Sequence, residues 1–353
     1  MDLEKRLHAF ANLGSALRDA FGDEEGSRFP EDAMVKIEAL KAEAVSARDY
    51  NAWFDEKMVC HALLALGESL REEKLRKWVS AYPMDSVSAK KTVGVVMAGN
   101  VPAVGFHDFL SVLMSGNKIL ARLSSDDSKL LPALANLLVS LKPEFEPYII
   151  FTEGRLQNFD AVIATGSNNT SRYFEYYFGK YPNIIRKNRN GIAVLTGNES
   201  HEELEALAND IFLYFGLGCR NVSKIFLPKD YDFEPLLKVL EKRSEISQHY
   251  KYFNNYEYNK AIYLINGRQH FDTGNLLLVE DEQISSPVGV LYYEYYTSEN
   301  ILRNSLIGRS DQIQCVMSQA TFLPKVIQLG GSQRPELWDY ADGVDTMKFL
   351  INL

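Results

Sequence analysis

The sequence has 353 residues, 46% of them hydrophobic and 24% charged, with a net charge of −9. Such a chain can bury a sizeable core, is predicted to form two domains, and lacks the composition of a disordered protein. The acidic excess argues against nucleic acid or an anionic membrane surface as a partner, so an anionic ligand has to be met by a local basic cluster.

Three cysteines, Cys60, Cys219 and Cys315, show no CxxC or Cys/His spacing, which fits a reducing compartment and offers no metal site. The opening Met1-Asp-Leu-Glu-Lys-Arg-Leu lacks the apolar run of a signal peptide, and no run of about 18 apolar residues could span a bilayer. A soluble cytoplasmic protein is expected.

Residues 1–80 read as a helical layer. Leu3, Leu7, Phe10, Leu13, Leu17, Ala20 and Phe21 recur at helical spacing, and Trp53, Met58, His61, Leu64 and Leu70 mark a second amphipathic segment. Gly14 inside the first pattern costs about 1 kcal/mol relative to alanine. Cys60 and His61 fall in the second pattern and read as core. Tyr82-Pro-Met-Asp-Ser86 then breaks the helical pattern and introduces a strand.

From Lys91 the texture alternates. Thr92 to Ala98 is predicted as a buried strand, Gly99-Asn100-Val101-Pro102 as a turn, Ala103 to Ser115 as a helix, Lys118 to Leu123 as a strand and Asp126 to Leu141 as a helix. This βαβα run implies a parallel sheet, continued by Tyr148 to Thr152 and Phe159 to Thr165. The latter strand ends in Gly166-Ser167-Asn168 before a helix, Ser171 to Phe178. Backbone N–H groups and the positive end of a helix dipole make such a junction a natural seat for phosphate. No GxGxxG follows any strand.

The stretch Ile211-Phe-Leu-Tyr-Phe-Gly-Leu-Gly-Cys219-Arg-Asn-Val-Ser-Lys-Ile-Phe-Leu-Pro228 carries the strongest chemical signal. It reads as a helix end, a Gly-x-Gly turn, a cysteine and a strand. Gly216 and Gly218 clear space around Cys219 and Arg220 follows it, as suits a partly open, electropositive thiol able to ionise and act as a nucleophile. A cysteine simply packed at a helix-to-strand junction is the plainer alternative.

Gly99-Asn100-Val101-Pro102, Thr165-Gly166-Ser167 and Phe215-Gly-Leu-Gly-Cys219 follow one another in the order of three marks of the aldehyde dehydrogenase superfamily, and their wording resembles its LuxC-type acyl-CoA reductase branch. The resemblance covers roughly residues 90–300. It implies an α/β aldehyde-dehydrogenase-like fold with a Rossmann-type nucleotide-binding domain and an α/β cysteine domain. It makes Cys219 the nucleophile, and the Asn100 side chain and the Cys219 backbone N–H the donors to the oxyanion. Gly166 and Ser167 would face the nucleotide.

Departures from the family pattern are also informative. Aldehyde-oxidising members carry a Glu-Leu-Gly-Gly-Lys segment whose glutamate activates water, whereas Arg186-Lys-Asn-Arg-Asn190 stands there in this chain, with Arg186 at the glutamate's place. Without that base an acyl-cysteine should last long enough to exchange with a thiol or accept hydride. NAD-binding members often carry Lys-Pro-Ser-Glu after the second strand; this chain has Arg122-Leu123-Ser124-Ser125, a cation with a neutral residue at the glutamate position. That pattern favours the 2′-phosphate of NADPH, with NADH as the alternative cofactor.

Downstream, helices are predicted for Glu203 to Gly216 and Phe233 to Glu245, an aromatic loop for Tyr252 to Tyr258, and strands for Ala261 to Asn266 and Leu276 to Val279. Glu282-Gln283-Ile284-Ser285-Ser286-Pro287-Val288 resembles the superfamily's Glu-Glu-Ile-Phe-Gly-Pro-Val, which places Gln283 at the glutamate that holds the nicotinamide ribose. Tyr292, Tyr293, Tyr295 and Tyr296 read as packing on a strand and Cys315 as buried in another. No spacing ties His107, His201, His249 or His270 to Cys219.

The resulting expectation is a nucleotide-binding domain with its N-terminal helices over residues 1–195, and a cysteine domain ending in a C-terminal strand over 196–353. The function expected is NADPH-dependent reduction of an acyl thioester, carried by coenzyme A or an acyl carrier, to an aldehyde. The resemblance also allows a homodimer. An acyl-phosphate reductase on the same fold and a non-catalytic acyl-binding scaffold are the alternatives.

Overall fold

The computed structural model describes residues 1–23, 29–84 and 90–353. Asp85 and Ser86, part of the predicted break before the first strand, lie outside them. The chain forms two compact units, residues Met1–Lys187 with Pro335–Leu353, and residues Asn188–Arg334.

The first unit begins with helices α1 (Leu3–Phe21), α2 (Glu31–Tyr50), α3 (Glu56–Ser69) and α4 (Glu72–Val79). Asp2 and Asp55 cap α1 and α3 by accepting from the Lys5 and Lys57 backbone N–H groups, satisfying donors that helix starts leave open. Phe10, Leu13 and Leu17 turn one stripe of α1 fully inward. Each such side chain contributes about 1.5–3 kcal/mol by leaving water. Gly14 lies on that buried side because a Cβ there would stand 2.6 Å from the Leu70 Cβ.

Strands and helices then alternate as β1 (Thr92–Val96), α5 (Phe106–Met114), β2 (Lys118–Arg122), α6 (Leu130–Leu141), β3 (Ile149–Thr152), β4 (Ala161–Thr165), α7 (Asn168–Phe178) and β5 (Asn183–Arg186). The sheet order is β3-β2-β1-β4-β5 and every pairing is parallel. This is five strands of the Rossmann order 3-2-1-4-5-6, with its reversal between β1 and β4. One core joins Phe10, Leu13 and Trp78 of the helical layer to Val93, Ile119 and Ile163 of the sheet.

The second unit comprises β6 (Asn190–Val194), α8 (His201–Phe212), β7 (Val222–Pro228), α9 (Glu234–Glu241), α10 (Tyr250–Ile265), β8 (Phe271–Asp272), β9 (Leu277–Glu280), β10 (Val290–Tyr296), α11 (Glu299–Gly308) and β11 (Ile313–Ser318). Its sheet runs β11-β6-β7-β10-β9-β8, parallel except for the antiparallel β8–β9 pair. Ser200 and Glu203 form a reciprocal capping box at the start of α8, the helix that leads to Cys219.

Three segments differ from expectation. The predicted aromatic loop at 252–258 and the strand at 261–266 are a single helix, α10. Its β-rich composition is overridden by packing: Tyr252, Tyr256, Asn259 and Tyr263, spaced by three or four residues, form its buried face. The chain closes in a helix, α12 (Thr346–Ile351), rather than a strand, and α12 belongs to the first unit. Asp345 caps it by accepting from the Lys348 N–H, and Met347 and Leu350 enter the first unit's core. The passage between units falls at Lys187/Asn188, so β6 lies in the second unit.

Candidate active site

In the first unit the loops after β2, β1 and β4 emerge from neighbouring strands, because Val96 pairs with both Arg122 and Ala164. Arg122, Ser124 and Ser125, the Gly99-Asn100 turn, and Gly166 with Ser167 therefore share the carboxyl edge of the sheet. The reversal of strand order there is where α/β sheets receive ligands. Asn100 is exposed. Its turn is fixed from below: a Cβ on Gly99 would stand 2.7 Å from Ser124, and the Ala103 N–H donates to Asp127 Oδ2 at 2.7 Å while Ala103 holds a φ of 54°. A left-handed alanine costs about 1 kcal/mol or more, and the bond to Asp127 offsets part of that cost.

Asp127 gives no sequence signal beyond an Asp-Asp pair, yet it is 5% exposed and holds the Asn100 turn. Burial pushes its carboxyl up to about 6, against the opposing pull of the Ala103 and Leu130 N–H groups. Ser124 is used locally, its Oγ accepting from the Asp126 N–H at 3.2 Å. Arg122 and Ser125 are exposed, as is Asp126 beside them. Ser167 caps α7: its Oγ accepts from the Thr170 N–H at 3.2 Å and lies 2.9 Å from the Thr170 Oγ1. Its hydroxyl thus serves the helix start, leaving the helix dipole to attract an anion.

Arg186 ends β5 in a buried ion pair, Nη1 to Asp108 Oδ2 at 2.6 Å, with Nη2 donating to the Thr346 Oγ1 at 2.9 Å. The two side chains are 7% and 8% exposed. Arg186 is thus committed to α5 and α12. Next to it, His107 faces the Leu337 carbonyl at 2.9 Å, and burial lowers the pKa of its ring.

In the second unit Cys219 is exposed, on a turn between α8 and β7. The turn is strained: Tyr214, Phe215 and Gly216 have φ of 52°, 57° and 75°, so two bulky residues sit in the left-handed region. Asn221, 1% exposed, holds it. Its Oδ1 accepts from the Gly218 N–H at 2.8 Å, and its Nδ2 donates to the Asp210 and Leu213 carbonyls at 3.0 and 2.7 Å. Sequence reasoning passed over Asn221, and the only available signal was a polar residue at the mouth of an apolar strand.

Arg220 reaches sideways, Nε donating to the Ser332 carbonyl at 2.5 Å. Asp210, also 1% exposed, accepts from the Gly330 and Ser332 N–H groups at 2.6 and 3.0 Å. Burial raises its pKa despite these bonds. The 330–332 loop and the cysteine turn are thereby tied together. His249 has no sequence link to Cys219, but its ring packs on Phe215 with centroids 4.2 Å apart. Its Nδ1 accepts from the Tyr252 N–H at 3.3 Å, which assigns the ring proton of the neutral form to Nε2.

Cys60 is half-buried and desolvation raises its pKa, while Cys315 is buried on β11 with Sγ 3.9 Å from the Arg220 carbonyl. Gln283 is exposed between β9 and β10. Tyr292 and Tyr293 are buried, and the half-buried Tyr296 donates its hydroxyl to the Leu195 carbonyl at 2.9 Å. Among the described residues no helix is long and apolar enough to cross a membrane, and no group of three or more His, Cys, Asp or Glu could hold a metal ion.

Two α/β units, one with Rossmann strand order and one presenting an exposed cysteine before a central strand, define an aldehyde-dehydrogenase-like fold. Solved structures agree. Aldehyde dehydrogenase 21 from Physcomitrella patens, in complex with the reaction product succinate, superimposes with a TM-score of 0.67 at 12% identity over 100% of this chain and 84% of that one. An NAD-dependent aldehyde dehydrogenase from Sinorhizobium meliloti gives 0.64 at 10% identity, covering 93% and 78%. The NAD+ complex of an aldehyde dehydrogenase from Bacillus cereus gives 0.62 at 13%, covering 91% and 73%. Within this fold the chain belongs to the LuxC acyl-CoA reductase family, whose model matches residues 3–237 and so includes Asn100, Gly166 and Cys219. No curated protein matches the sequence significantly.

Proposed function

We propose that this protein reduces an acyl thioester to an aldehyde through a thioester on Cys219, with NADPH as the hydride donor. The observation that carries the reading is the exposed Cys219 on a strained turn clamped by Asn221, within the stretch matched by the acyl-CoA reductase family. The Cys219 thiolate attacks the thioester carbonyl, the oxygen becomes anionic, and collapse expels the donor thiolate. Asn100 and the Cys219 backbone N–H have the donor chemistry that this oxyanion calls for. One such preorganised donor is typically worth about 3–4 kcal/mol of transition-state stabilisation.

The first unit fits a nicotinamide dinucleotide. Its carboxyl edge gathers Arg122, Ser125, the capped start of α7 and the Gly99 turn at the reversal of strand order. A bound reduced nicotinamide supplies the hydride that turns the acyl-cysteine into an aldehyde and a free thiol. Arg122 presents a fork for a 2′-phosphate and Ser125 does not repel it; the exposed Asp126 is the carboxylate that would suit a free ribose hydroxyl and NADH.

Hydrolysis of the acyl-cysteine needs a base, and the residues at the family's water-activating position do not supply one. Arg186 is cationic and its carboxylate partner, Asp108, is bound to it at 2.6 Å. The acyl group is then left for a thiol or for hydride. Coenzyme A and acyl carriers share the thioester chemistry, and coenzyme A is favoured by the family match.

The reading is tested by incubating the protein with coenzyme A thioesters of graded chain length, with and without NADPH. An acyl adduct by intact mass without cofactor, and oxidation of NADPH with aldehyde release when both are present, are expected. An adduct without turnover would assign the chain to the acyl-binding scaffolds, and turnover with acyl phosphates alone to the acyl-phosphate reductases.

A further inference from the structure

The turn that carries Cys219 is one side of a closed circuit of bonds, all of it within the second unit. The Asp210 carboxylate on α8 accepts from the Gly330 and Ser332 N–H groups at 2.6 and 3.0 Å, and the Ser332 carbonyl accepts from the Arg220 Nε at 2.5 Å. Arg220 is followed by Asn221, whose Nδ2 returns to the Asp210 carbonyl at 3.0 Å. Asp210 thus serves both ends, its side chain the loop and its backbone the turn. The loop is also pressed onto α8: Gly330 has a φ of 88°, and a Cβ on it would stand 2.9 Å from the Ala206 Cβ. Upstream, the Ile327 backbone bonds to Val316 and Ser318 of β11 at 2.9 Å, so the loop is anchored before it reaches the turn.

Arg220 is the most telling member, because a cation beside a nucleophilic cysteine invites an electrostatic role. Its Nε is committed to Ser332, and its charge acts on Asp210, which is 1% exposed. Burial raises the pKa of that carboxyl, while bonds from Ser332 and Gly330 and the charge of Arg220 pull it down. A carboxylate and a guanidinium that offset each other leave little net field at an exposed thiol, where water screens what remains. Burying a carboxylate is costly, and what it supplies here is an acceptor for two N–H groups of an irregular loop that no strand or helix satisfies.

We propose that Arg220 and Asp210 are positioning residues, which fasten the cysteine turn to the 330–332 loop and so hold Cys219 in place for attack on the acyl group. The inference rests on the acylation of Cys219 proposed above. Arg220 then acts through its bond to Ser332 and not through its charge, so the guanidinium does not set how readily the thiol ionises. The left-handed Tyr214 and Phe215 make such fastening necessary, since a strained backbone keeps its shape only where its surroundings over-determine it. Asn221 bonds the turn to the end of its own helix, and the circuit through Ser332 braces it from the loop. Because the bonds form one circuit, opening it at any point should have the same effect, and the losses should not add.

The test uses the full chain carrying Arg220→Met, Asp210→Asn, the two together, or Gly330→Ala, which opens the circuit without changing a charge. Measured for each are the acylation rate of Cys219 by a coenzyme A thioester, the pH midpoint of its alkylation by iodoacetamide, read on the Cys219 peptide, and hydrogen exchange of amides 216–222 and 328–333. Each single variant is expected to slow acylation about tenfold, as loss of one hydrogen bond to a charged group does, and to speed exchange in both segments together. The alkylation midpoint should stay at the wild-type value in all of them, and the double variant should be no slower than the worse single one. A midpoint raised by Arg220→Met and lowered by Asp210→Asn would show that the guanidinium acts by its charge, and overturns the proposal. Wild-type acylation in Arg220→Met and Asp210→Asn overturns it too, as do additive losses or faster exchange confined to one segment. Wild-type protein that no thioester acylates fails the underlying reading instead, and the exchange of the two segments still decides whether they are fastened together. Should Asp210→Asn not fold, Gly330→Ala alone and with Arg220→Met carries the same comparison.

Discussion

Replacing Asn221 by alanine should disarm Cys219 without touching it. The substitution unpairs three backbone groups, the Gly218 N–H and the Asp210 and Leu213 carbonyls, which Asn221 now serves at 2.7–3.0 Å. Each orphaned buried group costs about 1–3 kcal/mol, and water entering the space left by the amide recovers part of it, so a net loss of about 2–4 kcal/mol is expected. The loss should concentrate in the cysteine turn, because Tyr214 and Phe215 hold left-handed backbones that relax once the staple is gone. Hydrogen exchange of amides 210–222 should accelerate, while amides of the first unit keep wild-type protection. Acylation of Cys219, followed by intact mass, should slow about 10–100-fold, the effect of about 1.4–2.8 kcal/mol on a barrier. An Asn221→Ala protein that acylates at the wild-type rate with unchanged exchange would refute the argument that this side chain builds the nucleophile's turn.

Cys219→Ala should abolish both adduct and reduction, whereas Cys60→Ala and Cys315→Ala leave them nearly intact; an acyl adduct on the Cys219→Ala protein would sink the assignment. Arg122→Ala should weaken NADPH and leave NADH largely unaffected in direct titrations, and equal losses would show that Arg122 does not meet the 2′-phosphate. With aldehyde and NADP, free acid should be scarce and added coenzyme A should yield the thioester; abundant acid without it would reveal a water-activating base. Asp127→Asn should change the pH profile of stability. The folded carboxyl titrates at about 6 against an ordinary 3.8, so the wild-type protein binds the proton more tightly when folded and loses up to about 3 kcal/mol of stability as pH rises through that interval. Denaturant midpoints of wild type and variant should therefore diverge between pH 4 and 6 in favour of Asn, and parallel profiles would contradict it.

The alternation of apolar strands and helices after Lys91 exposed the Rossmann-type sheet directly, because buried parallel strands such as Val93 to Val96 read as continuous apolar runs. The exposure of Cys219 was legible for the opposite reason: glycines and an arginine around a cysteine are poor packing material. The helix α10 was misread because Tyr, Phe and Ile favour strands when taken singly, and only the fold shows that Tyr252, Tyr256 and Tyr263 share one buried face. The closing helix α12 was missed because its six residues are too few to show a period, and the Asp345 cap that starts it looks like any loop aspartate. Arg186 stood out as a cation, but its partners, Asp108 and Thr346, lie 78 and 160 residues away and leave no local trace.

Asn221, Asp127, Asp210 and Lys224 share a property that explains why none of them stood out. Each is a buried polar side chain bonded to backbone: Asn221 to the cysteine turn, Asp127 to the Asn100 turn, Asp210 to the 330–332 loop and Lys224 to the Gln283 segment. Irregular backbone cannot satisfy its own N–H and C=O groups as helices and sheets do, so a loop that must keep one shape away from water borrows partners from side chains. Those partners are chosen by geometry, and a lone Asn or Asp in a sequence carries no sign of it. Under the proposed function the exposed Cys219 and Asn100 carry the chemistry. Asn221 and Asp127 hold the turns that carry these two residues, and the substitutions that most damage function without altering a reacting atom should fall on them.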